Sequence, residues 1–306
     1  MTPPRVVIGL SAVIVAVTED APFVLVTRDP QSGLTALPFG PFDPVGDRTL
    51  ELSLRAWVRE QTGFNIGYVE QLYTFGDRGR EAPLAQPAAD RVVSIGYLAL
   101  TPVREDLDRP DAMWRDWYSY FPWEDWRGGR PKVIDAEIAP RLRVWADRSK
   151  ERMRRARLAF ALDGAGWNEE RALERYELLY ESGLAPEAAR DRARFTDEAA
   201  PEVAPEPLAP GLGEPMASDH RRILATAMGR LRAKIKYRPV IFELTADLFT
   251  LFHLQKITES ISGFEVHKQN FRRVLERTNL VEGAGQFDTS AGGRPAELFR
   301  YRRDEL

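Results

Sequence analysis

The sequence predicts an α+β protein in two units, a strand-rich N-terminal domain with a helical extension and a C-terminal winged helix-turn-helix. Three observations predict it. Toward the N-terminus, β-branched runs surround one amphipathic helix; a proline-rich break follows at 196–217; beyond it, two helices precede a hairpin. The 306 residues also exceed the ~100–200 usual for one domain.

Residues 6–17 and 22–28 are β-branched runs on either side of the polar turn Thr18-Glu19-Asp20, the pattern of paired strands. Residues 49–61 have helical spacing, with Leu50, Leu54, Trp57 and Val58 on one side and Gly63 as the stop. Residues 92–100 (VVSIGYLAL) read as another strand. From 140 to 195 the pattern is wholly helical and includes SKERMRRARLAFAL. Those arginines are open to two readings, a nucleic-acid surface or the solvated face of a surface helix. Residues 196–217 hold five prolines and no Lys or Arg, which predicts an extended, solvated linker. The expected divisions are 1–142, a helical extension over 143–195, the linker, and a C-terminal module over 218–306.

In that last module, residues 222–236 place Ile223, Ala227, Leu231 and Ile235 on one helical stripe. Residues 239–244 (PVIFEL) read as a short strand. Thr250 caps a helix that Gly263 closes, and 267–278 form the next helix. The latter buries Phe271, Val274 and Leu275 and offers Lys268, Gln269, Asn270, Arg272 and Arg273 elsewhere. Arg and Lys serve phosphates and guanine, and Gln or Asn read adenine, so this helix is the candidate for the major groove. Leu280-Val281 and 297–301 flank a Gly-rich tip as a wing, with Arg294 placed for a groove or phosphate.

Bulk composition narrows the function classes. There is no cysteine, which excludes disulfides, thiolate metal sites and Cys nucleophiles. No stretch reaches the ~18 apolar residues of a membrane span, and 6–17 lack a small-residue cleavage site, so the expected location is the cytoplasm. The net charge of −3 hides an asymmetry: 219–306 carry 16 basic and 11 acidic residues, and 1–218 carry 27 and 35. A basic module on an acidic one suits a DNA-binding unit beside a sensor.

The order strand, strand, Leu37-Pro38-Phe39-Gly40, helix, Gly63-Phe64, strand resembles the Nudix hydrolase family over about 6–142. The resemblance implies an α/β/α sandwich. It also implies a helix whose carboxylates share one face and hold Mg²⁺ against a diphosphate. Counting back from Gly63, the family's arginine falls on Ala56 and its first glutamate on Trp57; the next two fall on Glu60 and Gln61. Only Glu60 survives, and the stretch from Gly40 to Gly63 is two residues longer than the family pattern. No catalytic residue and no metal ligand is therefore expected. A nucleotide cleft can outlast catalysis. Its candidate residues are Phe39, Gly40, Glu60, Tyr73, Phe75 and Arg78, with Tyr73 and Phe75 equally readable as strand residues packed on the core.

RLRAKIKYRPVIFELTADLFTL, NFRR and GRPAELFRY, with QLYTFGDRGR and RVVSIGYLAL, resemble the Nudix-related transcriptional regulators of NAD metabolism (NrtR type). The helical insertion looks like their alphaproteobacterial NadQ-like branch. The resemblance implies a homodimeric repressor of NAD biosynthesis genes on a pseudo-palindromic DNA site. It needs no cofactor and answers to ADP-ribose, NAD or ATP. The alternatives are an active Nudix pyrophosphatase on ADP-ribose or a related nucleoside diphosphate, and a non-enzymatic protein- or RNA-binding adaptor.

Overall fold

The computed structural model describes residues 6–302 except 19, 78, 81–90, 103, 105–106, 196–210 and 290–294. β1 (Val6–Thr18) and β2 (Ala21–Arg28) form an antiparallel hairpin. β3 (Thr35–Ala36) pairs with β2, and β4 (Phe39–Pro41) with β1. α1 (Leu50–Thr62) follows, then β5 (Tyr68–Phe75), β6 (Arg91–Leu100) and β7 (Ala112–Asp116). The sheet order is β3-β2-β1-β6-β5, with β1 running parallel to β6. β1 is buried almost continuously, as a central strand covered on both faces must be.

α1 covers one face. Its Leu54 and Val58 pack on Leu10, Ala12 and Ile14 of β1 and on Tyr97 and Ala99 of β6. The Thr49 hydroxyl accepts from the Leu52 N–H, and Gly63 ends the helix at φ 75°, as expected. The helical extension comprises a π-helical turn at Ile134–Ile138, α2 (Ala139–Ala146), α3 (Lys150–Ala159), α4 (Ala172–Glu181) and α5 (Pro186–Phe195). Arg154 pairs with Glu151, Arg155 with Glu181, and Arg152 lies over the Trp145 ring. Those arginines on α3 thus have protein partners, which favours the surface-helix reading.

The second face is covered from an unexpected place. α6 (His220–Tyr237), assigned from sequence to the C-terminal module, lays Ile223, Leu224, Ala227, Met228 and Leu231 into the core formed by Val13, Val15, Leu98 and Leu100. The apolar stripe was legible; what it packs on was not. Two further expectations are corrected nearby. Residues 239–244 form a 3₁₀ turn, Pro239–Leu244, because Pro239 favours a helical start and Val240, Ile241, Phe242 and Leu244 can all be buried in that turn. The described end of the presumed solvated linker is packed: Leu212, Met216 and Ala217 are buried, and the Ala217 N–H donates to the Thr35 carbonyl.

Beyond α6 lie β8 (Phe249–Thr250), α7 (Leu251–Ser262), α8 (Lys268–Thr278), β9 (Val281–Asp288) and β10 (Ala296–Tyr301), with strand order β8-β10-β9. Thr250 caps α7 through the His253 N–H, and Gly263 closes it. β9 runs further into the Gly-rich segment than expected.

His220 anchors the start of α6. Its Nδ1 accepts the Leu37 N–H at 3.0 Å and its ring meets Phe39 edge-on at 4.8 Å. Burial pushes its pKa down to about 3, with Asp29 opposing weakly. Below the unfolded value near 6.5 the unfolded chain takes up a proton that the folded chain refuses. The stability that His220 supplies is therefore complete above about pH 6.5 and is lost as pH falls toward 3. His220→Asn can still accept from Leu37 but does not titrate. In denaturant titrations, moving from pH 7.5 to 5.5 should cost the wild type about 1 kcal/mol more than the variant. An equal loss in both proteins would contradict a neutral buried His220.

Candidate nucleotide and nucleic-acid interfaces

The Leu37-Pro38-Phe39-Gly40 turn sits where β4 crosses β1. Gly40 is buried directly beneath Trp57, and a Cβ there would stand 2.2 Å from the indole ring, so only glycine fits. Trp57 Nε1 donates to the Pro41 carbonyl at 2.9 Å. The Gln61 amide clasps Phe39 from both sides, accepting from its N–H at 3.1 Å and donating to its carbonyl at 2.5 Å. Two of the positions where the Nudix pattern places carboxylates thus hold hydrogen-bond donors committed to the turn. Glu60 is exposed and makes no side-chain hydrogen bond or ion pair among the described residues. No group of three or more His, Asp or Glu able to hold a metal occurs among those residues. The side chains present here do not fit Mg²⁺.

The candidate ligand residues divide between the two faces of the sheet. Gly40 faces α1, whereas Phe39 opposes Ser11 in register and turns toward α6 and His220. Tyr73 and Phe75 are ring neighbours at 5.3 Å with unlike exposure, 57% for Tyr73 and 3% for Phe75. Phe75 is buried beside Ile223 and Arg222, the packing that the core reading of this residue expects. Tyr73 keeps an accessible ring. Arg78 lies outside the described residues. Sequence reasoning offered Arg78 and Arg80 of QLYTFGDRGR as charges beside these rings but missed the network that Arg80 joins. Arg222 joins Asp77, Asp219 and Glu177, and Arg80 joins Glu177 and Asp219 while stacking on Tyr180. Burial raises the Asp219 carboxyl to about 7, with Arg80 and Arg222 opposing the rise and the charge of Glu177 adding to it.

In the C-terminal module, Lys268, Gln269, Asn270, Arg272 and Arg273 are all exposed on α8. None of these side chains enters a hydrogen bond or ion pair among the described residues. Elsewhere most arginines do. Leu275 is the buried residue of α8, Phe271 is half-buried, and Val274 is 41% exposed, so the apolar face is narrower than expected. The turn ahead of α8 is held by Glu259, a residue the sequence did not flag. Its carboxylate accepts from Gln255 Nε2, the Val266 N–H and Lys256 Nζ at 2.9–3.0 Å. Burial alone would raise this carboxyl, but those bonds hold it below the usual range. Arg294 lies outside the described residues.

Residues 241–301 match the family model of the NrtR DNA-binding winged helix domain, a match that begins just after α6. An ADPR responsive transcriptional repressor, NtrR of Acinetobacter baylyi, is 40% identical over 86 residues, 28% of this chain and 34% of the repressor. The alignment thus spans about a third of that relative. Shewanella oneidensis NrtR in complex with a 27mer DNA shares the fold at TM-score 0.55 and 20% identity, over 96% of this chain and 93% of that one. A MutT/nudix family protein from Enterococcus faecalis aligns at TM-score 0.54 and 15% identity, over 99% and 88%. The chain therefore carries an NrtR-type winged helix domain on the two-part fold it shares with Shewanella NrtR and with a Nudix-family protein.

Proposed function

We propose that this protein is a transcriptional repressor of NAD biosynthesis genes. Its winged helix grips operator DNA, and its Nudix-fold domain senses ADP-ribose without hydrolysing it. The observation that carries the reading is α8, five exposed and unpaired polar or cationic side chains on a module matched to an NrtR DNA-binding domain. The Acinetobacter relative named for its response to ADP-ribose favours that effector over NAD or ATP. The open ring of Tyr73 offers a stacking surface for an adenine on the α6 side of the sheet. Glu60 and Gly40 stay in the candidate set through their place around that turn.

The absence of turnover rests on the turn itself, since Trp57 and Gln61 occupy it with hydrogen bonds where a diphosphate enzyme needs carboxylates. Purified protein with Mg²⁺ should not hydrolyse ADP-ribose, NADH or nucleoside triphosphates. Turnover that disappears in Glu60→Gln would establish the pyrophosphatase instead. Placing Glu at 57 and 61 should not create activity, because it removes the bonds that fix residues 39–41.

On DNA, losing a phosphate contact lowers affinity on all sequences and flattens the log–log salt slope by about 1. Losing a base contact costs about 1–3 kcal/mol on the operator and far less on random DNA. Gln269→Ala and Arg272→Ala are expected to behave in the second way, Arg294→Ala in the first. Binding isotherms at two salt concentrations read both quantities. Folded Arg272→Ala, Arg273→Ala and Arg294→Ala variants that all bind like wild type would remove α8 as the recognition helix.

A single recognition helix covers few base pairs, so a two-fold dimer on a pseudo-palindrome with half-sites ~10 bp or a multiple apart is expected. Light scattering and footprinting check it. A monomer protecting one half-site at full affinity would contradict it.

A further inference from the structure

α6 runs from the candidate nucleotide site to α7 of the winged helix module, and polar contacts of different kinds fix it near both ends. Its first turn carries His220, bonded to Leu37 and against Phe39, and Arg222, beside Phe75 and bonded to Asp77. Its eighteen residues form a rod of about 27 Å. Near the far end, Arg232 is fully buried and distributes its guanidinium over three structural units. Nη1 meets the Glu124 carboxylate at 2.5 Å, and Nη2 reaches the Glu124 carbonyl at 3.2 Å and the Tyr118 hydroxyl at 3.3 Å. Nε donates to the carbonyl of Ile261, in the last turn of α7, at 2.9 Å.

That last turn is tied to the sensor from other directions as well. The Tyr118 hydroxyl donates to the Ser260 carbonyl at 2.8 Å, and the Trp126 N–H to the Gly263 carbonyl at 2.8 Å. The Ser260 hydroxyl donates to the Asp20 carbonyl at 2.7 Å. A Cβ at Gly263 would stand 2.5 Å from the Glu124 carbonyl, so the contact admits nothing larger than glycine. The first helix of the helix-turn-helix therefore has no hinge of its own at this end. It moves with the Glu124–Arg232 seam or not at all.

We propose that α6 carries nucleotide occupancy to the DNA-binding module, and that Arg232 is the positioning residue that sets the angle of α7 and α8. This inference rests on the functional reading above. A nucleotide that displaces Phe39 or Arg222 acts on the first turn of a helix packed too tightly to absorb the movement locally. The movement reaches Arg232, whose bonds to Ile261 and Glu124 convert it into a change in how α7 sits. Lysine at 232 keeps a cation beside Glu124 but cannot make the forked set of bonds that a guanidinium makes.

The test compares wild type, Arg232→Lys and Tyr118→Phe on a duplex that the wild type selects from a random pool. Operator affinity is measured with and without saturating ADP-ribose, and ADP-ribose affinity by calorimetry. Effector couplings are typically 5–150-fold. In both variants ADP-ribose should still bind to within a few-fold of wild type, while the ratio of the two operator affinities falls toward one. A merely structural role would lower both affinities and leave the ratio intact, and that result overturns the proposal. Should Arg232→Lys fail to fold, Tyr118→Phe decides alone, since it removes one hydroxyl and two bonds of the seam. A wild type indifferent to ADP-ribose would overturn the functional reading and this inference with it. A responsive wild type with equally responsive variants overturns the inference alone.

Discussion

The carboxylate of Glu124 is the constraint on which the rest of the molecule depends. It is wholly buried and held between Arg175 of the extension, at 2.5 and 2.8 Å, and Arg232 of α6. Burial alone would raise its pKa, and the two guanidinia hold it below the usual carboxylate range. Arg175 goes on to the carbonyls of Ala159, Asn168 and Glu169, and Arg232 to those of Glu169 and Ile261. Removing one member of such a buried pair leaves a desolvated charge and costs about 3–5 kcal/mol, whereas apolar replacement of the whole set can be neutral. The cluster is therefore better understood as fixing relative placement than as adding net stability. Three stretches far apart in sequence converge on one acid in a geometry that few alternatives satisfy.

This arrangement bears on what the helical extension is for. Arg175 gives the extension a polar grip on the seam between sheet and winged helix, and Tyr176, Leu178 and Leu179 join the core that includes α6. A surface decoration would bury neither. The extension braces α6 from the side opposite the sheet, so the sandwich and the winged helix share one helix and one core. The break at 196–217 separates the two units in sequence without separating them in packing.

Local signals were legible and tertiary partners were not. Thr49 with Gly63 and Thr250 with Gly263 mark two helices because a cap and a left-handed stop act within a few residues of themselves. β1, β2 and β6 announce themselves through β-branched runs. α6 shows the opposite case, since its stripe is the same whether it covers a sheet or a helix bundle. The arginines at 175, 221 and 232 carry no local sign of burial yet are fully buried, because their partners at Glu124, Glu187 and Tyr120 are brought close only by the fold. PVIFEL has strand composition, and tertiary context with Pro239 turned it into a 3₁₀ segment. Around the candidate nucleotide site, the replacements at 57 and 61 were visible in the sequence, but the bonds those replacements make were not.

Those bonds give the altered Nudix helix a physical rationale. Carboxylates converging on one place repel one another unless a cation is present. Trp57 and Gln61 remove the repulsion and replace it with three hydrogen bonds to Phe39 and Pro41, all between neutral groups. The turn is then held without a cation, with Phe39 against His220 at the head of α6. In the sensing role proposed above, this preorganisation helps in a way that it would not in an enzyme. An occupant of the cleft meets a preorganised wall and its effect passes to α6, whereas a flexible turn would absorb that effect before it reached the winged helix.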